Sequence, residues 1–584
     1  MQPITAAGAG FAGALWRWVD RNILELGREV RLSYLPPLMV YLAAGISGLT
    51  AIVGAFFVKE YLDLPAAFLA TLGFWAMLPW SLKMPIGHLV DLIWRHKAGL
   101  VYLGAALIAA SLLIMVGLLN DPAAMRGVMR AEAWYVLATL LAPIGYVVQD
   151  VVADAMTVEA VPRVDDQGRP VPEGQRRLQN TTMQTLGRVA IIGGTILVAA
   201  ANVYLFGGVE SMTTGQKAGV YLQIYQLALI IPVVSVLGTV LAGILRRRDM
   251  RRLAAQGFGA EEIDRLVHGG HVRPRVNWWI LGGSLAFVVF SVAMGLIGSL
   301  LALLEGWVTP QDGWNAVEKT INAVLPALKA LAIYNQEVVF LGSLAIIVFL
   351  MTRLTRELDA GARNTLIGTA LVIFVFRAIP GPGAGSTWWE IDVLGFDQQF
   401  LSKLALITGT LTLLGMFLFR RFMAEHSIAY VIGFLTLAGA LLFLPSVAMY
   451  YGFHEWTAAH TGGVVDQRFI AVLNTAIESP LGQIAMIPML AWIAQCAPDQ
   501  LKATFFAVMA AFTNLALSLS QLGTKYLNEV YTVTREVKDP VTGLVKVAAD
   551  YSQLGELFIT VLVVTVAAPM LAILFVKTTR FKSA

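Results

Sequence analysis

Long runs of about twenty or more mainly apolar residues, separated by short polar, basic or Pro/Gly-rich stretches, dominate the chain. A helix rises about 1.5 Å per residue, so each run is long enough for the roughly 30 Å oily core of a bilayer. The pattern predicts helices over about 36–58, 66–90, 98–119, 132–158, 178–206 and 218–245, a first group of six. Two more follow at about 278–303 and 335–352, then a second group of six at about 363–380, 400–419, 428–450, 469–495, 502–526 and 553–576. About fourteen spans result. They divide the chain into an N-terminal arm (1–35), a six-helix bundle (36–246), a basic cytoplasmic linker (247–276), two additional central helices with an outer loop (277–354), a second six-helix bundle (363–577) and a short tail (578–584). The expected class is an all-α multi-pass membrane protein.

Composition agrees. Hydrophobic residues make up 57% and charged residues 14%, with mean hydropathy +0.69, whereas soluble domains carry about 25% charged residues. The formal charge of +4 says less than its distribution. With the N-terminus inside, about 27 of the 42 basic residues fall on one side and about 11 on the other, the asymmetry of cytoplasmic loops. Both termini are therefore expected in the cytoplasm, and a bacterial inner (plasma) membrane is the expected location. In the arm, Trp16 and Trp18 sit among Arg17, Arg21, Arg28 and Arg31, which fits a helix on an anionic leaflet. The basic linker likewise reads as membrane-lipid charge and not as a nucleic-acid site.

Several chemistries find no support. One cysteine, Cys496, allows no internal disulfide or Cys-based cluster, and seven histidines show no metal spacing. There is no GxSxG, HExxH or Walker GxxxxGK[ST] pattern. An enzyme, an ATP-driven pump, a bound cofactor and a metal site are all disfavoured.

What remains is charge inside the membrane. Asp150 and Asp154, in QDVVADAMTVE (149–159), close an apolar run and lie four apart, so they share one helix face, while Glu159 turns away. A charge in a span costs a few kcal/mol on insertion scales, so it faces water, an opposite charge or a substrate. Counted from the cytoplasmic helix ends, Asp150 and Arg188 lie about 15 Å deep and Lys83 about 12 Å, a common layer. Three readings of this network stay open: one aspartate exchanges a proton during a transport cycle, the cluster is a permanent gate-side salt bridge, or it contacts the substrate directly. In the second bundle, Arg377 precedes Pro380-Gly381-Pro382, where the helix must break. Its planar fork suits a carboxylate; the plainer alternative is that it snorkels to the outer interface or pairs with Glu478 or Glu390. Asn514 could meet a ring amide. Trp388 and Trp389, with Phe74, Trp75 and Trp80, could stack on a flat heterocycle or serve only as packing. Gly187, Gly193 and Gly194 predict close helix packing.

Two six-helix halves joined by a basic linker resemble the major facilitator superfamily. Gly87 and Asp91, followed by Arg95 and Lys97, are similar to its gate motif between the second and third spans. A more specific resemblance emerges from four stretches in order. DVVADAMTVE (150–159), WSLKMPIGHLVD (80–91), FVFRAIPGPGAGSTWWEIDVLGFDQQFLSK (374–403) and GQIAMIPMLAWIAQCAPDQLKATFFAVMAAFTNLALSLSQLG (482–523) resemble the folate-biopterin transporter family. The resemblance implies a secondary transporter of a pterin- or folate-like anion working with protons as a symporter. The two central helices, Arg377 and Thr157 depart from the family pattern and bear on the substrate. Two alternatives stay open: import or export of another small metabolite or drug, such as S-adenosylmethionine, and a non-transporting assembly protein on the same fold.

Overall fold

The computed structural model describes residues 25–583 except 162–168, 268–277, 308–325, 423–425, 485–501 and 539–543 and positions 29, 63, 94, 95, 170, 327, 328, 330, 358, 420, 421 and 483; before residue 25 it describes 13, 16, 17 and 20. The described residues are mostly helical, and nine helical stretches among them are long and apolar enough to cross a membrane. In chain order the main helices are α1 (Leu35–Ile46 and Ala51–Tyr61 around a 3-10 turn), α2 (Ala66–Met77 and Lys83–Leu92 around the 3-10 turn Leu78–Leu82), α3 (Ala98–Asn120), α4 (Ala131–Ala160), α5 (Glu173–Leu205) and α6 (Thr214–Ala228 with Ile230–Ala255). The central pair is α7 (Trp278–Trp307) and α8 (Asn335–Leu354). Then come α9 (Ala360–Arg377), α10 (Gln398–Leu418), α11 (Ile428–Tyr450), α12 (Gln467–Glu478), α13 (Lys502–Val530) and α14 (Leu554–Thr578). Met486, Met489 and Cys496 lie outside the described residues.

Local chemistry fixes where helices begin. Asp359, Asp397 and Asp466 cap α9, α10 and α12 by accepting from Ala362 N (2.5 Å), Phe400 N (2.8 Å) and Phe469 N (2.8 Å). In lipid, helices gain little hydrophobic drive toward one another, so association depends on close approach at small residues. Gly194 of α5 sits against Gly45 of α1, where an added Cβ would fall 2.8 Å from backbone atoms. Gly104 of α3 and Gly145 of α4 meet similarly, each Cβ falling 2.6 Å from the other's carbonyl oxygen. Gly187 lies under the Tyr41 ring. Gly193 departs from expectation: nothing lies within 4 Å of its Cβ position, because it is about 100° round the helix from the stripe that Gly187 and Gly194 share.

The two bundles meet along two seams. α5 packs on α10, with Gly409 against Ile196, and α2 packs on α13, with Gly73 against Gln521. The extra pair stands along the α2/α13 seam. Gly295 of α7 faces Trp75 of α2, while Glu337 of α8 meets Tyr526 and lies 3.4 Å from Lys525 of α13. Leu237, Val240 and Ile244 of α6 and Leu437, Leu441 and Leu444 of α11 remain exposed, as lipid-facing stripes do.

The break after Arg377 is built in. Ser520, Thr524 and Asn528, one turn apart on a single face of α13, serve the unwound segment: Ser520 Oγ donates to Ile379 O (2.6 Å), Gly381 N donates to Thr524 Oγ1 (3.0 Å) and Asn528 Nδ2 donates to Pro382 O (3.1 Å). Backbone groups freed by the prolines are thereby satisfied within protein, as a membrane interior requires.

Candidate functional site

Four helices of the first bundle bring ionisable groups together. Lys83, the first residue of α2 after its 3-10 turn, pairs with Asp150 of α4 and lies 3.7 Å from Asp154. From α1, the Tyr41 hydroxyl donates to Asp154 Oδ1 (2.5 Å). Arg188 of α5 acts on Tyr41, Lys83 and Asp154 through its charge, yet forms no ion pair or hydrogen bond among the described residues. The two aspartates lie four residues apart on one face of α4 and meet Lys83 of α2 and Tyr41 of α1. They differ in one respect that matters. The Asp150 side chain is 15% exposed, Asp154 is 49% exposed. At this depth, removing one partner of a buried pair strands the other charge at about 3–5 kcal/mol.

A second polar chain leads from this cluster into the other bundle. Asn514 of α13 donates to the Trp80 carbonyl in the α2 turn (3.2 Å) and accepts from Arg377 Nη2 (3.3 Å). Arg377 and Asn514, expected as separate contacts for a ligand, hold each other and fasten α9 and α13 to α2. The Lys83 ammonium stands 5.7 Å from the Trp80 ring centroid, linking the two chains. Neither Glu390 nor Glu478 enters an ion pair among the described residues, and Glu478 is exposed at the end of α12. Trp388 is buried, and the Arg535 guanidinium lies 5.1 Å from its ring centroid, so the face expected to stay open for a flat ligand is covered. Phe74 is fully buried and meets Trp75 edge to face.

In the gate motif, a Cβ on Gly87 would fall 4.0 Å from Val151 of α4. Arg95 and the Asp91 side chain lie outside the described residues. The described fastening at this end is Lys97 with Glu159 of α4 (2.5 Å). Glu159 does turn away from the aspartates, and the loop is what it meets.

At the opposite end, outer in the orientation expected from loop charge, contacts absent from the sequence reading join the bundles. Arg535, beside the hairpin Val537–Lys538/Val545–Val547, donates to the carbonyls of Lys59 (2.6 Å) and Leu62 at the end of α1. Lys59 pairs with Asp392 (2.5 Å), which accepts from the Tyr551 hydroxyl (2.5 Å). Burial and the Asp392 carboxylate push Tyr551 above the ordinary phenol range, so it stays a donor. Gln398 donates to Tyr221 of α6 (2.7 Å), which in turn donates to Glu60 (3.3 Å). No residue spacing in the sequence announces these partners. Among the described residues no cluster of His, Cys, Asp or Glu could hold a metal ion.

Two helical bundles with charges gathered between their helices and a closure at one end define an integral membrane protein of the major facilitator fold. Solved structures share it. A crystal structure of peptide transporter POT in complex with sulfate matches with TM-score 0.54 at 16% identity over 94% of both chains. A POT family transporter in complex with 5-aminolevulinic acid matches with TM-score 0.53 at 13% identity, covering 93% of this chain and 95% of that one. The chain belongs to the BT1 family, whose model matches residues 44–581. Among curated relatives, the folate-biopterin transporter of Synechocystis sp. is 28% identical over 162 residues, and the putative folate transporter 2 of Plasmodium berghei 25% identical over 161. Each match covers 28% of this chain and about a third, 32% and 34%, of the relative's length.

Proposed function

We propose that this protein is a secondary active transporter of a pterin- or folate-like anion, coupled to protons and working by alternating access in a plasma (inner) membrane with both termini cytoplasmic. The bundles at about 36–246 and 363–577 would rock about the charged layer. One observation carries the reading: Asp154, one turn beyond Asp150 near the end of a spanning helix, is held by Tyr41 and lies near Lys83, yet is half-exposed. A purely structural ion pair needs no route to water; an acid that exchanges protons does. The names of the Synechocystis and Plasmodium relatives supply the substrate class.

The test is uptake by proteoliposomes holding the full chain, with and without an inward proton gradient, against folate, biopterin and S-adenosylmethionine. Folate or biopterin accumulation stimulated several-fold by the gradient is the expected result. Accumulation of S-adenosylmethionine alone, or of none of the three, would overturn the reading.

A further inference from the structure

We infer that Arg188 is the carboxylate subsite of this transporter, and that a proton on Asp154 is what admits the anion, one proton for each carboxylate bound. The inference rests on the transport reading above and goes beyond it by naming the group that binds, the group that couples, and their ratio.

The cluster holds four charges. Lys83 and Arg188 are cations, Asp150 and Asp154 anions when ionised, and Tyr41 is a neutral donor. The titratable and charged groups that face Asp154 among the described residues are Tyr41 from α1, Lys83 from α2, Arg188 from α5 and Asp150 on its own helix. With both carboxylates ionised the sum is zero. A substrate carboxylate arriving then would place a net negative charge in a poorly screened site beside two aspartates, and be rejected. Protonating one aspartate makes the sum +1 and opens a place for one anion.

Geometry decides which acid takes the proton and which cation is released. Asp150 is mostly enclosed and clasped by Lys83; Asp154 is 49% exposed, with Lys83 at 3.7 Å. Water therefore reaches Asp154 more readily. Lys83 stays engaged with Asp150, so the surplus positive charge belongs to Arg188, which has no contact partner among the described residues. Its planar fork can take a carboxylate through two parallel hydrogen bonds. The proton passes from outer water to the Asp154 carboxylate, where it forms an O–H bond, and leaves to inner water once the substrate carboxylate departs. No other bond changes. Arg377 is less suited, because it is already bonded to Asn514.

Charge balance also sorts substrates. A pterin bearing a carboxylate chain needs both Arg188 and the proton; an uncharged pterin needs neither.

Binding to the purified full chain, with folate and the uncharged biopterin as probes over pH 5.5–8, tests this. For wild type, folate affinity should fall by up to about tenfold per pH unit on the alkaline side, with about one proton taken up per folate bound at high pH, while biopterin affinity stays flat. Arg188→Gln should weaken folate by about 30-fold or more and leave biopterin within about threefold. Arg188→Lys, keeping charge without the fork, should recover part of the loss and serves where the Gln variant does not fold. Asp154→Asn should bind folate with no pH dependence and no proton uptake. Wild-type folate binding in Arg188→Gln, or persistent proton uptake in Asp154→Asn, overturns the inference while the transport reading stands. Wild type binding neither probe removes both.

Discussion

Replacing Arg535 by alanine should open the end of the molecule that it closes beside the hairpin. The side chain is 3% exposed, gives two hydrogen bonds to carbonyls at the end of α1, and covers the Trp388 ring. Hydrogen bonds from a charged donor contribute about 1.5–3 kcal/mol each, and a desolvated cation over an aromatic face about 1–2 kcal/mol. In the open state the guanidinium regains water, so the net loss to the closed state is about 2–4 kcal/mol. A closed state favoured 99:1 lies about 2.7 kcal/mol below its open counterpart. The substitution should then raise the open population from about a hundredth to between about a quarter and nine-tenths. Spin labels at Tyr204 and Val464, which are 85% and 66% exposed at this end of the two bundles, report the separation in a Cys496→Ser background. A second, longer distance should appear in pulsed dipolar spectra of Arg535→Ala, with Arg535→Lys intermediate. An unchanged distance distribution in a folded, monodisperse variant would refute the role given to this contact.

Three further outcomes follow from the packing. Gly194→Ala should lower thermal stability by about 1–3 kcal/mol as α1 and α5 are forced apart, whereas Gly193→Ala should be neutral or slightly stabilising; equal melting of both in detergent would contradict the stripe. Thr524→Val removes the acceptor for Gly381 N and should cost about 1 kcal/mol, read as a lower melting temperature that Thr524→Ser largely restores. Tyr41→Phe removes a donor that favours ionised Asp154, so the protonated form gains, and proton-stimulated folate uptake should persist to higher external pH; a shift toward lower pH would invert the proposed sign.

Much of this was legible because the bilayer is a simple solvent. A run of about twenty apolar residues has few fates in it, and two aspartates four apart must share a face. Lys83 was legible for the same reason, as a cation in an apolar run at matching depth. Periodicity, however, gives the face of one helix and nothing about what stands opposite. Tyr41 is 113 residues from Asp154, and Arg535 is 476 from Lys59. Their roles appear only when helices distant in sequence pack side by side. The same limit explains Arg377 and Asn514, each read alone as a hand for substrate and found holding the other. Arg188 shows the converse: its depth was legible, but its lack of a contact partner among the described residues needed every neighbouring helix in place. In an oily medium an ionised group without a contact partner is a standing electrostatic demand. That demand makes the charge sum of the layer more informative than any single residue in it.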